Sequence, residues 1–324
     1  MKKNLYRIYF LLRHGGWKYV IGGVIGRIWG HEESTKFLYK KIKALDASKY
    51  EEELYKISAL ATGKEMNISN PVTFNEKIQW LKIHDATPLK TMLADKYLVN
   101  EWVREKVGEQ YLIPILGVWD SFEEIKIDEL PKSFVLKANH GSGWLVVVKD
   151  KTQVNWAEVK KNFDLWMSLN FALIEGFELQ YLNIKPKIIA EEYIENESGW
   201  LYDYKIHCFN GKPEYIQIMG ERSQITHHAK HAFYNTEWEL QPFVYDRHMP
   251  WETKKEKPVN LDEMLQIADK LCKGFAYVRV DLYQLDDGEI KFGEMTFTPE
   301  SGYMEWTPPE TSKMLGEKII LPQK

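Results

Sequence analysis

A predicted β-hairpin near the carboxyl end constrains the fold of this chain most strongly. Residues 277–299 read YVRVDLYQLDDGEIKFGEMTFTP, in which apolar and polar residues alternate on both sides of Asp287-Gly288. Alternation predicts strands with one face on a core, and an Asp-Gly pair is a strong signal for a tight turn between two strands. The sequence therefore predicts antiparallel strands over residues 277–283 and 290–297.

A two-residue turn at Asp287-Gly288 determines which side chains face each other. Asp281 then lies opposite Glu294, and Arg279 lies opposite Thr296. Opposed side chains have Cβ atoms about 5 Å apart, and like charges so placed destabilise a sheet. Facing carboxylates therefore indicate a divalent cation, and oxygen ligands suit Mg²⁺. The alternative is a hairpin with both acids in water, because acidic residues are mostly exposed.

Length and composition are those of an ordinary globular protein of about two domains. The chain has 324 residues, of which 44% are hydrophobic and 28% charged, enough for a substantial core. Cys208 and Cys272 lie far apart in sequence and lack metal or redox spacing, so we expect reduced core thiols in a cytosolic protein. The net charge of −4 gives no indication of nucleic-acid binding.

Residues 1–45 differ from the rest in charge. They contain ten Lys or Arg against two Glu, a net charge of +8, which leaves −12 for the remainder. The apolar run at 19–29 is shorter than the roughly 20 residues of a membrane span, and no signal-peptide cleavage site follows it. A basic segment with aromatic side chains could lie at the inner face of the membrane or on a partner. A basic helical extension packed on its own protein is the alternative.

Helical spacing dominates residues 34–107. Helices are predicted over 34–45, 49–61, 74–84 and 89–107. Thr73 and Glu76 form a capping-box pattern at the start of the third helix, and Pro88 and Gly108 bound the fourth. Lys96 lies in the middle of that fourth helix, where a lysine is usually a solvated charge. An edge strand is predicted near residues 111–118.

A glycine-rich loop between two predicted strands begins the part of the chain that contains most of the candidate site residues. The strand at 134–138 carries Lys137, the loop reads Asn139-His140-Gly141-Ser142-Gly143, and the second strand covers 144–148. Such a loop can place backbone N–H groups over phosphates without obstruction by side chains, although many such loops are only turns. No P-loop motif occurs in the chain.

Charged residues also mark later strands. The predicted strand 187–194 ends with Glu191 and Glu192, and the strand 202–209 has Asp203, Lys205 and His207 on one face. A surface ion pair is the alternative for Asp203 and Lys205.

Further elements complete the predicted core. Asn210-Gly211 predicts a turn to a strand at 214–219, and helices are predicted over 155–171 and 261–273. A solvated loop is predicted for the histidines at 227, 228 and 231, whose spacing resembles no helical zinc site.

The order of these features resembles the ATP-grasp superfamily of carboxylate–amine ligases over roughly residues 95–302. The phrases TFNEKIQWLK, LADKYLVNEWV, YLIPILGVWDSF and FVLKANHGSG are similar to its TupA-like branch, over about residues 70–310. That branch takes its name from teichuronopeptide biosynthesis and occurs among bacterial surface-polysaccharide genes.

The resemblance implies an α+β, ATP-grasp fold, in which two α+β subdomains grip ATP, with a mainly helical amino-terminal extension. We expect a basic helical region at 1–90, the first ATP-grasp part with its flap at 91–193, and the catalytic subdomain at 194–324. The amino-terminal region lacks the alternating strand–helix pattern of the usual first domain, so the acceptor site must be built differently.

The resemblance also implies roles for individual residues. The phosphates of ATP would meet Lys96 and Lys137 under a flap of His140, Gly141, Ser142 and Gly143. Its adenine and ribose would meet Glu191, Glu192, Tyr193, Ile194 and Asp203. Lys205 would face phosphate or substrate, and Arg279 would stabilise the transferred phosphoryl group. Mg²⁺ would be held by Asp281, Glu294 and Thr296, the last at a position where many relatives have Asn.

The resulting hypothesis is an ATP-dependent ligase that forms an amide through an acyl phosphate. Phosphoryl transfer requires positioning and charge neutralisation, which suits a site of lysines, an arginine and Mg²⁺. The family context predicts a uronic acid of a surface polysaccharide or its precursor as the carboxylate, and an amino acid or amino alcohol as the amine. A cytoplasmic protein is expected, with residues 1–45 as the candidate contact to membrane or polysaccharide-assembly partners. The alternatives are a glycosyltransferase and a non-catalytic ATP-binding scaffold.

Overall fold

Two β-sheets of four and six strands carry most of the residues of interest. The computed structural model describes residues 10, 13–29, 31–196, 201–221, 229–246, 248–251 and 253–323. His227, His228 and part of the basic segment 1–45 lie outside these residues.

Helices form the amino-terminal part and flank both sheets. Their bounds are α1 Trp17–Trp29, α2 His31–Lys43, α3 Tyr50–Thr62, α4 Phe74–His84, α5 Pro88–Ala94, α6 Val99–Lys106, α7 Trp156–Ser168, α8 Phe171–Ile174, α9 Leu261–Leu271 and α10 Thr311–Lys318. Among the described residues, no helix is both long and apolar enough to cross a membrane.

The strands divide into two larger sheets and one short pair. Their bounds are β1 Ile115–Trp119, β2 Phe134–Ala138, β3 Leu145–Val148, β4 Ile188–Glu192, β5 Asp203–Phe209, β6 Lys212–Gly220, β7 Lys230–Asn235, β8 Val244–Tyr245, β9 Met249–Pro250, β10 Tyr277–Gln284, β11 Ile290–Thr296 and β12 Trp306–Thr307. The first sheet has the order β1-β4-β2-β3, and the second has β11-β10-β5-β6-β7-β9. Neighbours are antiparallel except β7 and β9.

The capping box at the start of α4 is confirmed. The Thr73 hydroxyl accepts from the Glu76 N–H, and the Glu76 carboxylate accepts from the Thr73 N–H at 2.9 Å. This reciprocal contact satisfies two donors that a helix start otherwise leaves unpaired. The helix therefore begins at Phe74, as predicted.

The single helix predicted over residues 89–107 is wrong. Two helices occupy this range, α5 and α6, and the chain breaks between them at Asp95. The Asp95 carboxylate accepts from the N–H groups of Tyr97 at 2.8 Å and Leu98 at 3.2 Å. Such local side-chain bonds compete with helical backbone bonds. Lys96 therefore lies in the break, where its N–H donates to the carbonyl of Asn139.

The predicted hairpin register is confirmed at the acidic pair, although the turn differs. Three residues form the turn, because the Leu285 N–H donates to the Glu289 carbonyl at 2.8 Å and Gly288 has a φ of +90°. The extra residue shifts the register by one near the turn. A bulge at Gly293 shifts it back, so that Asp281 pairs with Glu294 and Arg279 pairs with Thr296.

Helices pack on both faces of the second sheet. On one face, Val278, Val280 and Leu282 contact a core that includes α5, α6 and α9. On the other, a cluster with Phe209 and Tyr277 contacts Phe74 of α4. The amino-terminal helices therefore share a core with the sheet that carries the charged residues.

The first sheet and the two cysteines also agree with the predictions from the sequence. The first sheet packs on α7 through Phe163, and β1 lies at the sheet edge, as predicted. Cys208 and Cys272 are free and buried, as expected from their spacing.

Close backbone contact between α10 and the start of α4 requires Gly316. A Cβ built there would lie 2.3 Å from the Val72 carbonyl oxygen and 2.7 Å from the Phe74 nitrogen. We expect Gly316→Ala to lower the free energy of unfolding by about 1–3 kcal/mol, since backbone cannot yield as a side chain can. Urea denaturation measures this change.

Gly23→Ala is the matched control, because nothing lies within 4 Å of its built Cβ. It should leave stability unchanged or raise it by up to about 1 kcal/mol through helix propensity. Equal changes in the free energy of unfolding for Gly316→Ala and Gly23→Ala would contradict the close packing of α10 against α4.

Candidate functional site

A cleft of about 650 Å³ opens between the glycine-rich loop and the second sheet. Ser142 and Gly143 line one side, while Arg279, Glu294 and Thr296 line the other. The structure therefore brings the predicted flap and the predicted catalytic hairpin to one cavity.

Arg279 and Asp281 form a buried bidentate ion pair on one face of β10. Arg279 Nε donates to Asp281 Oδ1 at 2.7 Å, and Nη2 donates to Oδ2 at 2.7 Å. The arginine also reaches Glu294 Oε1 at 3.3 Å and Thr296 Oγ1 at 3.1 Å. Two parallel hydrogen bonds of this kind strengthen the ion pair and fix the orientation of the guanidinium relative to the carboxylate.

Lys205 extends the same network to the neighbouring strand. It lies directly opposite Asp281, and its Nζ contacts Asp281 Oδ2 and Asp203 Oδ2. The alternative of a surface ion pair is therefore wrong for Asp203 and Lys205, because the lysine side chain is only 12% exposed.

Burial and neighbouring charges shift the pKa values of the ionisable side chains in this network. Burial opposes ionisation of Asp281, but Arg279 and Lys205 outweigh it and hold the pKa of that carboxyl below its usual range. Burial also raises the pKa of Asp203, to about 6. Despite burial, the carboxylates of Asp203 and Asp281 raise the pKa of Lys205. The lysine therefore stays charged at neutral pH.

Glu294 and Thr296 are the more accessible oxygen donors. Thr296 Oγ1 donates to Glu294 Oε1 at 2.7 Å, and the Glu294 side chain is 35% exposed. Burial opposes ionisation of Glu294, yet Lys96, Arg279 and Lys205 hold its pKa below the usual range. Its carboxylate is therefore ionised at neutral pH and faces the cleft.

The donor types on this hairpin fit Mg²⁺. Two carboxylates and a hydroxyl are hard oxygen ligands, and Mg²⁺ commonly adds water and substrate phosphate oxygens to one or two carboxylates. Both oxygens of Asp281 already accept from cationic groups. In the described ranges, no group of three or more His, Cys, Asp or Glu is arranged to hold a metal ion.

The two predicted phosphate lysines lie near this network, each with a protein partner. Lys96 Nζ donates to the Gly141 carbonyl, and Lys137 Nζ contacts Glu191 Oε2. Burial lowers the pKa of Lys96, and the carboxylate of Glu294 is the largest influence that opposes this shift. Lys96 was expected within a helix, but the break at Asp95 directs it to the glycine-rich loop.

The glycine-rich loop has a buried base and an exposed tip. His140 is 2% exposed and its ring lies against Trp144, with centroids 5.1 Å apart. A Cβ at Gly141 would meet Trp144 at 2.6 Å and Phe171 at 2.9 Å, so only glycine fits there. Ser142 and Gly143 are exposed and line the cleft. The exposed tip of the loop therefore borders the cavity.

The predicted adenine side lies at the end of β4. Glu191 is buried, Glu192 is exposed, and Tyr193 and Ile194 follow half-buried. Leu145 and Val147 of β3 are 41% and 48% exposed on the same sheet. Sequence reasoning missed these two side chains, because residues 144–148 are all apolar and the alternation appears only in their burial.

A second polar cluster, buried beside the cleft, was also missed. Lys82 of α4 is fully buried, and its Nζ donates to Ser301 O and Oγ, each at 2.7 Å. Gln79, one turn earlier, donates to Ser301 O at 2.9 Å and Gly302 O at 3.1 Å. Burial lowers the pKa of Lys82 to about 8. A lysine on a helix carries no sequence signal for such a contact.

The hydrogen bonds from Lys82 and Gln79 hold a strained loop in the wall of the cleft. Glu300 and Ser301 both have left-handed φ angles, +48° and +52°, which cost about 1–3 kcal/mol each for residues other than glycine. Glu178 lies nearby, its carboxylate bonded to Thr298, and burial raises its pKa to about 6. Glu175, Glu178, Asp246 and Glu300 make this end of the cleft acidic.

The solvated loop predicted at His231 is wrong. His231 is fully buried on β7, and its Nδ1 contacts Gln217 Nε2 at 3.0 Å. His207 is also buried and hydrogen-bonds to the Tyr277 hydroxyl at 2.8 Å. Burial lowers the pKa of both histidines, to about 4 and about 3, so both are neutral structural groups.

Several solved structures resemble this one. D-alanine–D-alanine ligase from Bacillus anthracis, complexed with ATP, is 17% identical with a TM-score of 0.39, covering 64% of this chain and 55% of that one. L-amino acid ligase from Bacillus licheniformis is 11% identical with a TM-score of 0.45, covering 77% and 56%. The ATP-grasp ligase PsnB, complexed with minimal precursor, Mg and ADP, is 9% identical with a TM-score of 0.36, covering 65% and 52%.

This chain spans about half the length of those structures. No curated protein sequence matches it. The family model described as TupA-like ATPgrasp matches residues 76–320, well over half of the chain. The α+β architecture and the helical amino-terminal region agree with the expected fold class. The chain belongs to the TupA-like ATP-grasp family.

Proposed function

We propose that the protein is an ATP-dependent carboxylate–amine ligase that uses Mg²⁺. The observation that carries this proposal is the convergence of Arg279, Glu294 and Thr296 with the tip of the glycine-rich loop on one cleft. Membership of the ATP-grasp family supports the same reaction class. Arg279 in the cleft, with Lys96 and Lys137 near it, would supply the positive charge that phosphoryl transfer requires.

The residue roles that the family resemblance implies would replace existing protein contacts. Lys96 and Lys137, now bonded to Gly141 and Glu191, would donate to phosphate oxygens instead. Arg279 would shift a donor from Asp281 to the transferred phosphoryl group. Glu294 and Thr296, joined by Asp281, would hold Mg²⁺, which neutralises phosphate charge when bound. Lys205 keeps Asp203 and Asp281 neutralised throughout.

The remaining predicted contacts concern the base and ribose. Glu191 and Glu192 with Tyr193 and Ile194 would border the adenine, and Asp203 would lie on the ribose side. Leu145 and Val147 support this arrangement, because exposed apolar side chains on that sheet suit a flat base. His140 would position the flap from its buried base, while Gly141, Ser142 and Gly143 would cover the phosphates.

The proposed reaction activates a carboxylate, which by itself is a poor acylating agent. A carboxylate oxygen of the acceptor attacks the γ-phosphorus, ADP leaves, and an acyl phosphate forms. The amine then attacks the acyl carbon, phosphate leaves, and the amine nitrogen loses a proton. Positioned cations neutralise the negative charge that both steps concentrate.

The carboxylate substrate would be a uronic acid of a bacterial surface polysaccharide or its precursor, as the resemblance implies. The amine would be an amino acid or amino alcohol. We also propose the division at residues 1–90, 91–193 and 194–324. The two larger sheets fall within the last two parts, although α5 and α6 pack on the second sheet. A cytoplasmic protein with membrane contact through its first 45 residues completes the proposal.

A substrate panel tests the reaction. The protein is incubated with Mg-ATP, individual uronates and pooled amines, and ADP and phosphate are measured. We expect release only when an acid and an amine are both present, with the amide detected by mass spectrometry. Turnover of a sugar nucleotide without ATP would indicate a glycosyltransferase, and tight ATP binding without turnover would indicate a scaffold. Either result contradicts the ligase.

Glu294→Gln should abolish turnover, a loss of about a hundredfold or more, because a neutral amide is a poor Mg²⁺ ligand. ADP release measures this loss. Glu289→Gln is the matched control on the same hairpin, where the Glu289 side chain is 58% exposed. The control should keep full activity and both variants should keep their melting temperature. Full activity of Glu294→Gln would remove the metal assignment.

Lys137→Met should weaken ATP binding by about tenfold or more, since a charge-assisted hydrogen bond contributes about 1.5–3 kcal/mol. Isothermal titration calorimetry measures this affinity. Lys132→Met is the control, because the Lys132 side chain is 75% exposed just before β2. Unchanged affinity in Lys137→Met would show that this lysine serves only Glu191.

A further inference from the structure

An apolar stripe on α1 faces away from the rest of the protein. Trp17, Ile21 and Val24 are 58%, 46% and 48% exposed. Their spacing of four and then three residues places them on one face of the helix. Exposed large apolar side chains that form a continuous stripe mark an interaction surface more often than scattered ones do.

The opposite side of α1 is held against the protein, so the direction of the stripe is determined by packing. Lys18 Nζ contacts the buried carboxylate of Glu53 at 2.6 Å. Gly22 lies so close to α2 that a Cβ there would meet Leu38 at 2.9 Å, and Ser34 Oγ donates to the Gly22 carbonyl at 2.8 Å. The two helices thus form a hairpin whose apolar stripe stays outward.

Exposed lysines accompany this stripe on the same helical hairpin. Lys36, Lys40, Lys41 and Lys43 of α2 are all exposed. Residues 1–45 carry +8, while the remaining residues carry −12. The helical hairpin at 17–43 itself holds six Lys or Arg against two Glu, a net charge of +4, so it is a basic region of an acidic protein.

We propose that the helical hairpin of α1 and α2 docks on an anionic lipid bilayer. An apolar stripe beside lysines suits the boundary between acyl chains and anionic headgroups. The charge distribution orients the protein, because the acidic remainder is repelled by the same surface. A second copy of this chain is disfavoured as the occupant, since two hairpins that each carry a net charge of +4 over residues 17–43 would repel.

The docked orientation would bring the cleft close to the bilayer. A cavity of about 280 Å³ lies behind the helical hairpin, lined by Tyr19, Leu38 and Ile42. Glu175 lines both this cavity and the cleft of the candidate site. Glu175 therefore lies between the cleft and the cavity behind the hairpin. The docking itself involves no nucleotide and is independent of the ligase proposal.

Co-sedimentation with lipid vesicles tests the docking surface in the full-length protein. We expect binding to vesicles of equimolar phosphatidylglycerol and phosphatidylcholine, little binding to pure phosphatidylcholine, and weaker binding as salt screens the lysines. Ile21→Glu should lower the affinity for the anionic vesicles by about tenfold or more, because the stripe loses apolar area. Lys41→Glu, on the exposed face of α2, should lower it also.

Val259→Glu is the matched control, since Val259 is 82% exposed and lies far along the chain. It makes the same change of charge and should keep wild-type vesicle binding. Thermal unfolding verifies that each variant is folded. Equal binding by the Ile21→Glu and Val259→Glu variants, or equal binding of the wild type to neutral and anionic vesicles, overturns the proposal. Lipid-free dimerisation that Ile21→Glu abolishes would assign the stripe to a second copy and overturn it too.

Discussion

A buried network of opposite charges determines the geometry of the cleft. Arg279 and Asp281 share one face of β10, and Lys205 of β5 joins Asp281 to Asp203. Buried ions lose hydration, and their attraction offsets that loss only when the hydrogen-bond geometry is good. The bidentate contact of Arg279 meets this condition. Removal of one member would leave its partner charged and buried, so the residues function as a unit and their strands must keep their register.

That register depends on two irregularities that compensate each other. A three-residue turn at the tip of the hairpin moves the pairing by one residue, and the bulge at Gly293 moves it back. A one-residue slip would turn every side chain of β11 to the other face. Glu294 would then leave the cleft. The bulge has little room for a side chain, because a Cβ at Gly293 would lie 3.1 Å from both the Asp281 carbonyl oxygen and the Tyr283 ring.

The amino-terminal helices complete the site rather than merely extend the chain. Lys82 and Gln79 of α4 reach the loop that follows β11 and hold Ser301 in a left-handed conformation. Burial of a lysine is unfavourable unless its ammonium is well hydrogen-bonded, and here it has two oxygen acceptors on one residue. The helix start, set by the Thr73 capping box, therefore positions one wall of the cleft. A helix of the amino-terminal part thus supports the loop that forms this wall.

Local sequence patterns determined the elements whose causes are also local. The capping box and the Asn210-Gly211 turn depend on neighbouring residues, and the structure confirms them. The opposition of Asp281 to Glu294 is also confirmed, but a three-residue turn and the bulge at Gly293 produce it instead of the two-residue turn from which it was predicted. β10 is a strand as predicted, although it is buried on both faces and not on one. Most of the site residues were named from family resemblance. Tertiary structure alone decided the rest. In the break between α5 and α6, the Lys96 N–H meets the distant Asn139 carbonyl, and His231 is buried because β7 lies inside the sheet. Lys82 meets Ser301 across 219 residues of chain, and no periodicity encodes a contact between elements so far apart.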